Sequence, residues 1–284
     1  MQPSFPLCDI TDQELEIEKF FTQKCNVDRL IEFLCIEEKK GRDRFSSSRM
    51  SVFKGLFRNH GDLFLENFLP HLEELVKKKQ ESFQRCAAEI ICGLIKGSKH
   101  WNYEMTVKMW SSLLPIIKSA LNNLTVETVS DWTLCISNAC QERDPNRLYW
   151  LIECLMEESD CETESSFVEC GRLLILQGSL ALQYWRVSEL LHRLLSRFEN
   201  RLEDSPLQTV RDRLSAMLVF IFRANVKYDS DYDDESFPVV KNFVDKIYPR
   251  LQSLTETDSS NALMLTKMEN LKVDFEKEEQ SSKR

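Results

Sequence analysis

An all-α array of stacked helical hairpins is the fold class that this sequence predicts, on three observations. Only 7 glycines and 8 prolines occur in 284 residues, too few for the turn chemistry of a sheet-rich fold or for phosphate-cradling loops. Apolar residues recur with a period near 3.6 in segment after segment. Paired into hairpins, those segments begin new units near Asp62, Asn102, Asp144, Arg186 and Ser236, a spacing of about 40–50 residues. Two helices per unit at that period are the mark of a HEAT/armadillo-like α-solenoid. A four-helix or irregular α bundle is the alternative the same pattern allows.

The segments follow in order. Thr11 stands as the N-cap of a first helix reaching about Gln23, with Glu14 completing a capping box. Asn26 stands as the cap of a second, whose stripe is Val27, Leu30, Ile31, Leu34 and Cys35. After the polar "KKGRDRFSSS" come "RMSVFKGLFRNHG" and "DLFLENFLPHLEELVKKK", the latter with Asp62 as its expected cap. In "QESFQRCAAEIICGLIKGSKHW" (Gln80 to Trp101) the residues Phe83, Cys86, Ala87, Ile90, Ile91 and Leu94 fall on one apolar stripe, and Gly97-Ser98 should end the helix. Cys86 and Cys92 are six positions apart, about 240° around a helix, so one metal could not easily take both. Free cysteine packs as a small hydrophobe, and core packing is the expectation for these two.

Next come "NYEMTVKMWSSLLPIIKSALNNL" and "TVETVSDWTLCISNACQ". "DPNRLYWLIECLMEE" then places Pro145 at the first helical position, where its missing N–H costs nothing. "SSFVECGRLLILQGSLALQYW", "RVSELLHRLLSRFENRL" and "SPLQTVRDRLSAMLVFIFRANV" continue the series, followed by "FPVVKNFVDKIYPRLQSL" and an amphipathic segment from Leu263 to Phe275. "FLPHLEEL", "LLPIIKSAL" and "IYPRLQSL" each set a proline (Pro70, Pro115, Pro249) after two apolar residues. A mid-helix proline costs about 3 kcal/mol, which a solenoid tolerates where a kink bends one helix around its neighbour. The predicted organisation is N-terminal helices over 1–60, HEAT-like repeats over 61–228, an acidic loop over 229–236, a further hairpin over 237–275 and a polar, fraying tail over 276–284.

Composition bounds the chemistry. The net charge of −9 argues against generic attraction to nucleic acid or to an anionic membrane. The longest charge-free run, Leu173 to Trp185, is shorter than the about 20 apolar residues of a bilayer span. The N-terminal "MQPSFPLCDITDQE" has neither the basic nor the apolar region of a secretory signal. Ten scattered cysteines then read as reduced thiols of a cytosolic or nuclear protein. No Walker loop, H-E-x-x-H, G-x-S-x-G or C-x-x-C occurs, so the chain reads as a non-enzyme with no required cofactor. Cys140, before "QERDP", is the least unlikely nucleophile, with a packed thiol as the alternative. Two charged stretches are candidate contacts. Lys39, Lys40, Arg42, Arg44 and Arg49, extended by Lys54 and Arg58 against the single Asp43, suit an anion or acidic partner, or form a solvated face. The acidic "DSDYDDES" suits a basic surface or phosphorylation at Ser230, or is an inter-repeat loop.

Four long stretches carry a resemblance. "MSVFKGLFRNHGDLFLENFLPHLEELV" (50–76), "RCAAEIICGLIKGSKHW" (85–101), "NNLTVETVSDWTLCISNACQERDPNRLYWL" (122–151) and "SSFVECGRLLILQGSLALQYWRVSELLHRLL" (165–195) resemble, in order, the proteasome activator complex subunit 4 family of large single-chain activators. The resemblance implies a HEAT-like scaffold that caps the core proteasome and promotes degradation without ATP or ubiquitin. It further implies links to acetylated histones, DNA repair and spermatogenesis, residence in nucleus and cytoplasm, and an inositol polyphosphate ligand that cannot be matched to positions here. A free-standing helical-repeat adaptor is the alternative function. The family's C-terminal hydrophobic–tyrosine–alanine tail and acetyl-lysine-reading region find no match, since the sequence closes on Ser281-Ser282-Lys283-Arg284. An internal segment of the C-terminal half, or a truncated paralogue, is therefore the expectation.

Overall fold

The computed structural model describes residues 12–36, 44–141, 145–156, 166–180, 195, 208–226, 236–257 and 262–281, and among them there is no strand. The chain divides into two compact units, Met1–Ala120 and Leu121–Arg284.

The first unit holds α1 (Asp12–Thr22), α2 (Lys24–Leu34), α3 (Ser47–His60), α4 (Leu65–Leu75), α5 (Glu81–Gly97) and most of α6 (Tyr103–Asn122). Among the described residues α3 lies along α5, with the most extensive helix–helix contact, and α2 lies on α4, while α4 and α5 form a hairpin. From α6, Lys108 Nζ reaches Glu66 Oε1 of α4 at 2.8 Å. Burying each hairpin against the next is the neighbour-on-neighbour principle of an α-solenoid. An aromatic cluster centred on Phe68 joins the layers. Phe21, Phe53 and Phe57 place their ring centroids 5.9, 5.8 and 5.6 Å from that of Phe68.

The second unit repeats the plan with α7 (Val129–Ala139), α8 (Pro145–Met156), α9 (Ser166–Leu180), α10 (Gln208–Val226), α11 (Ser236–Thr257) and α12 (Ala262–Ser281). Here α7 packs on α9, α9 on α10 and α10 on α12, with α8·α9 and α11·α12 as hairpins. Pro145 opens α8, as its position in the sequence predicts. The three proline motifs occupy equivalent places. Pro70, Pro115 and Pro249 lie inside α4, α6 and α11 and all three rings are exposed. Two residues before each, Phe68, Leu113 and Ile247 are buried. The proline thus sits on the water side, where the carbonyl deprived of its donor can be hydrated.

Several helix ends differ from the sequence expectation. Asn26 does not cap α2, which starts at Lys24 after Gln23; its side-chain amide instead donates to the Phe20 carbonyl at 3.1 Å, closing the α1–α2 elbow. Asp62 does not cap α4, which begins three residues later behind Phe64. Gly61, at φ 60°, turns the chain between α3 and α4, a conformation open to glycine at no steric cost. Residues 276–281, expected to fray, continue α12 to Ser281, carried by the buried stripe Met268, Leu271 and Phe275. Ser236, placed in the acidic loop, opens α11. Thr11 lies outside the described residues.

Asn102 is the cap of α6, accepting from the Met105 N–H at 2.9 Å. Its replacement by alanine is expected to lower stability by about 1 kcal/mol. Chemical denaturation followed by circular dichroism checks this, and Asn102→Asp should retain nearly all of it.

Candidate interaction surface and the buried charge cluster beneath it

The predicted basic run begins at Lys39, and Lys39, Lys40 and Arg42 lie outside the described residues. Arg44 is exposed. Arg49 is only partly exposed, and its guanidinium is engaged: its Nε donates to Glu89 Oε2 at 2.8 Å and its Nη2 to the Arg44 carbonyl at 3.1 Å. Arg49 is therefore tied to α5, whereas Arg44 is exposed.

Glu89 is fully buried, at 0 % exposure, and so is its neighbour one helical turn back, Arg85, at 1 %. One carboxylate serves three donors. Glu89 Oε1 accepts from the Ser46 N–H at 2.7 Å, and Oε2 accepts from Arg49 and from Arg85 Nη1, the latter at 3.1 Å. Arg85 Nη2 donates to the Leu34 carbonyl at the end of α2. Ser46 completes the arrangement as N-cap of α3, its hydroxyl accepting from the Arg49 N–H at 3.4 Å. Buried charge is tolerable only when paired and hydrogen-bonded, and here the pairing fixes the chain on both sides of residues 37–43 to α5. The sequence reading took this helix as one apolar stripe. The signal it passed over was Arg85 and Glu89 at i, i+4 among residues that are otherwise apolar or small. Phe83, assigned to the stripe, is only partly buried and carries Lys78 Nζ 4.3 Å above its ring.

Two histidine–carboxylate contacts tie the N-terminal helices to the next pair. His60 Nδ1 lies 3.3 Å from Glu18 Oε1 and His71 Nε2 lies 2.9 Å from Asp28 Oδ1. His100 is exposed, and His192 is outside the described residues. Cys140 is the C-cap of α7 and is 1 % exposed. That burial favours the packed thiol over the nucleophile, which needs access to a substrate. Cys86 and Cys92 are both fully buried, in keeping with the core packing expected of them. Among the described residues no three His, Cys, Asp or Glu side chains gather as a metal site, and no helix is long and apolar enough to cross a membrane. Of the acidic stretch, Asp229 to Glu235, with Ser230, is outside the described residues.

An apolar feature of the exposed surface lies in the same N-terminal helices. A shallow, open depression at the α1–α2 elbow is lined by Ile17, Phe20 and Phe21 among Glu16, Lys19, Gln23 and Asn26. The described geometry is that of a scaffold: stacked helices tied together by the buried cluster around Glu89.

Comparison with known proteins agrees. The profile of the family described as "Proteasome activator complex subunit 4-like, HEAT repeat-like" matches residues 2–178. The chain is 45 % identical over 250 residues to proteasome activator complex subunit 4 of Homo sapiens, an alignment covering 88 % of this chain and 14 % of that protein. It is 45 % identical over 250 residues to the Bos taurus protein of the same name, covering 88 % and 13 %. It is 44 % identical over 248 residues to proteasome activator complex subunit 4A of Danio rerio, covering 87 % and 13 %. The chain thus spans 13–14 % of the length of these relatives.

Proposed function

Because the chain belongs to the proteasome activator complex subunit 4-like HEAT-repeat family, we propose that it supplies a stretch of helical wall in a proteasome activator. It is a scaffold without catalytic chemistry of its own. Its partner is the core proteasome, and the assembly it serves promotes degradation without ATP or ubiquitin. Acetylated histones as substrates, roles in DNA repair and spermatogenesis, and residence in nucleus and cytoplasm extend this reading by family resemblance alone. So does an inositol polyphosphate as ligand, to which no residue here is assigned. Lys39, Lys40, Arg42, Arg44 and Arg49 are the proposed contact for an anion or acidic partner, with Arg49 already engaged by Glu89 and only partly exposed. The observation that carries the proposal is the 44–45 % identity sustained over 87–88 % of the chain.

A wall segment that is one part of a long array makes only part of the array's contacts, so its separate affinity falls steeply. The chain added in large excess to latent core particle should co-sediment weakly and leave hydrolysis of a small fluorogenic peptide unchanged. A clear rate increase would show that these residues carry an activating contact, and the wall-only role would be abandoned. No co-sedimentation at any concentration would replace the proposal with a helical-repeat adaptor for other partners.

A further inference from the structure

Cys35 and Cys86 are far apart in the chain and meet in the fold. Cys35 is the C-cap of α2, half-buried, with its N–H returned to the Ile31 carbonyl at 3.0 Å. Cys86 is wholly buried in α5. The neighbouring residues show the same juxtaposition independently, since Arg85 donates to the carbonyl of Leu34. The two thiols share a hydrogen bond, and that contact, together with burial, pushes the Cys86 thiol well above its usual range. Both are reduced in this structure.

We propose that Cys35 and Cys86 form a redox-modifiable pair, which a hydroperoxide converts to a disulfide that staples the end of α2 to α5. Cys35, the more accessible thiol, acts first. Its sulfur attacks the peroxide oxygen, the O–O bond breaks, and the products are Cys35 sulfenic acid and the alcohol or water left from the peroxide. The Cys86 sulfur then displaces the hydroxyl from Cys35, which leaves as water with the Cys86 proton. Two thiols lose two electrons in all, and one peroxide gains them. A raised thiol range makes Cys86 a poor independent nucleophile, so its part depends on direct contact with the oxidised partner. The bond would close a long loop across α3 and α4, restricting the unfolded chain. It would also lock the helix end that leads into the basic run at Lys39.

The test uses the full chain at low concentration, with the exposed Cys25 replaced by serine to suppress bonds between molecules. After hydrogen peroxide, remaining thiols are blocked with N-ethylmaleimide, and the protein is digested without reductant for mass spectrometry. The expected result is one dominant cross-linked pair joining the peptides of Cys35 and Cys86, cleaved by a phosphine reductant. The urea midpoint should rise on oxidation and fall back on reduction. In Cys35→Ala, which leaves the buried position intact and should keep its helical spectrum, both effects should vanish. Cys35 recovered as a sulfonic acid, still as a thiol, or bonded to another cysteine would overturn the proposal, as would a midpoint shift that survives Cys35→Ala.

Discussion

Replacement of Glu89 by alanine is expected to destabilise the first unit by about 3–5 kcal/mol, the cost of leaving buried charge without its partner. Glu89 is fully buried, and it holds the guanidinium groups of Arg49 and Arg85 at 2.8 and 3.1 Å as well as the N–H of Ser46 at 2.7 Å. Its removal leaves two arginines facing a cavity, one of them 1 % exposed. The sign depends on which groups remain, because the desolvation cost of the pair is already met in the native fold. A triple replacement of Arg49, Arg85 and Glu89 by methionine removes all three charges together. It should cost far less than Glu89→Ala, since a buried ionic cluster and a packed apolar one of similar volume are often nearly equal in stability. Urea denaturation of the single and triple variants makes the comparison. A Glu89→Ala loss below about 1 kcal/mol, within the range of an exposed ion pair, would show that water reaches the cluster and solvates it.

Gly93→Ala and Gly97→Ala are each expected to cost about 2 kcal/mol, while Gly55→Ala should stabilise by up to about 1 kcal/mol. All three are helical glycines, so intrinsic propensity favours alanine equally. Packing decides between them. Gly93 and Gly97 are one turn apart on the face of α5 that meets α3. A Cβ on Gly93 would stand 2.5 Å from Phe53 Cβ and 2.8 Å from the Met50 carbonyl oxygen, and one on Gly97 would stand 2.8 Å from the Lys54 carbonyl oxygen and from Phe57 Cβ. These are backbone and Cβ atoms, which cannot rotate aside, so the helices must separate. At Gly55 a Cβ meets nothing within 4 Å. Equal stability changes at all three positions, measured in the same denaturant series, would mean that α3 and α5 separate at little cost and are not held at close approach.

The elements were legible in the sequence wherever their cause is local. Scarce glycine, apolar residues at helical spacing and Pro145 at a first turn specify helices without reference to anything distant. The repeat was legible for a related reason: each hairpin presents its neighbour with the same problem, and the prolines at 70, 115 and 249 recur at the same outward position. Helix starts were read less well. Asn26 and Asp62 have the right chemistry for caps, yet the elbow at Phe20 and the turn at Gly61 set the actual ends. Cap preference is worth about 1 kcal/mol, less than the packing of the helices on either side.

What sequence by itself determined about this protein is its all-helical class, its stacked hairpins and its family, because these rest on periodicity and on long runs of matching residues. What only the tertiary structure decided is the fate of individual charges and thiols. Arg49 reads locally as one of a run of surface cations, and Glu89 as a polar interruption of an apolar stripe. Glu89 is in fact fully buried and Arg49 is drawn partly inside to meet it, because the two lie 40 residues apart and come together only when their helices pack. Cys35 and Cys86 likewise look unrelated until α2 is laid against α5. A local pattern fixes which way a helix turns its side chains, but burial and pairing are properties of what packs on it, and those neighbours come from elsewhere in the chain.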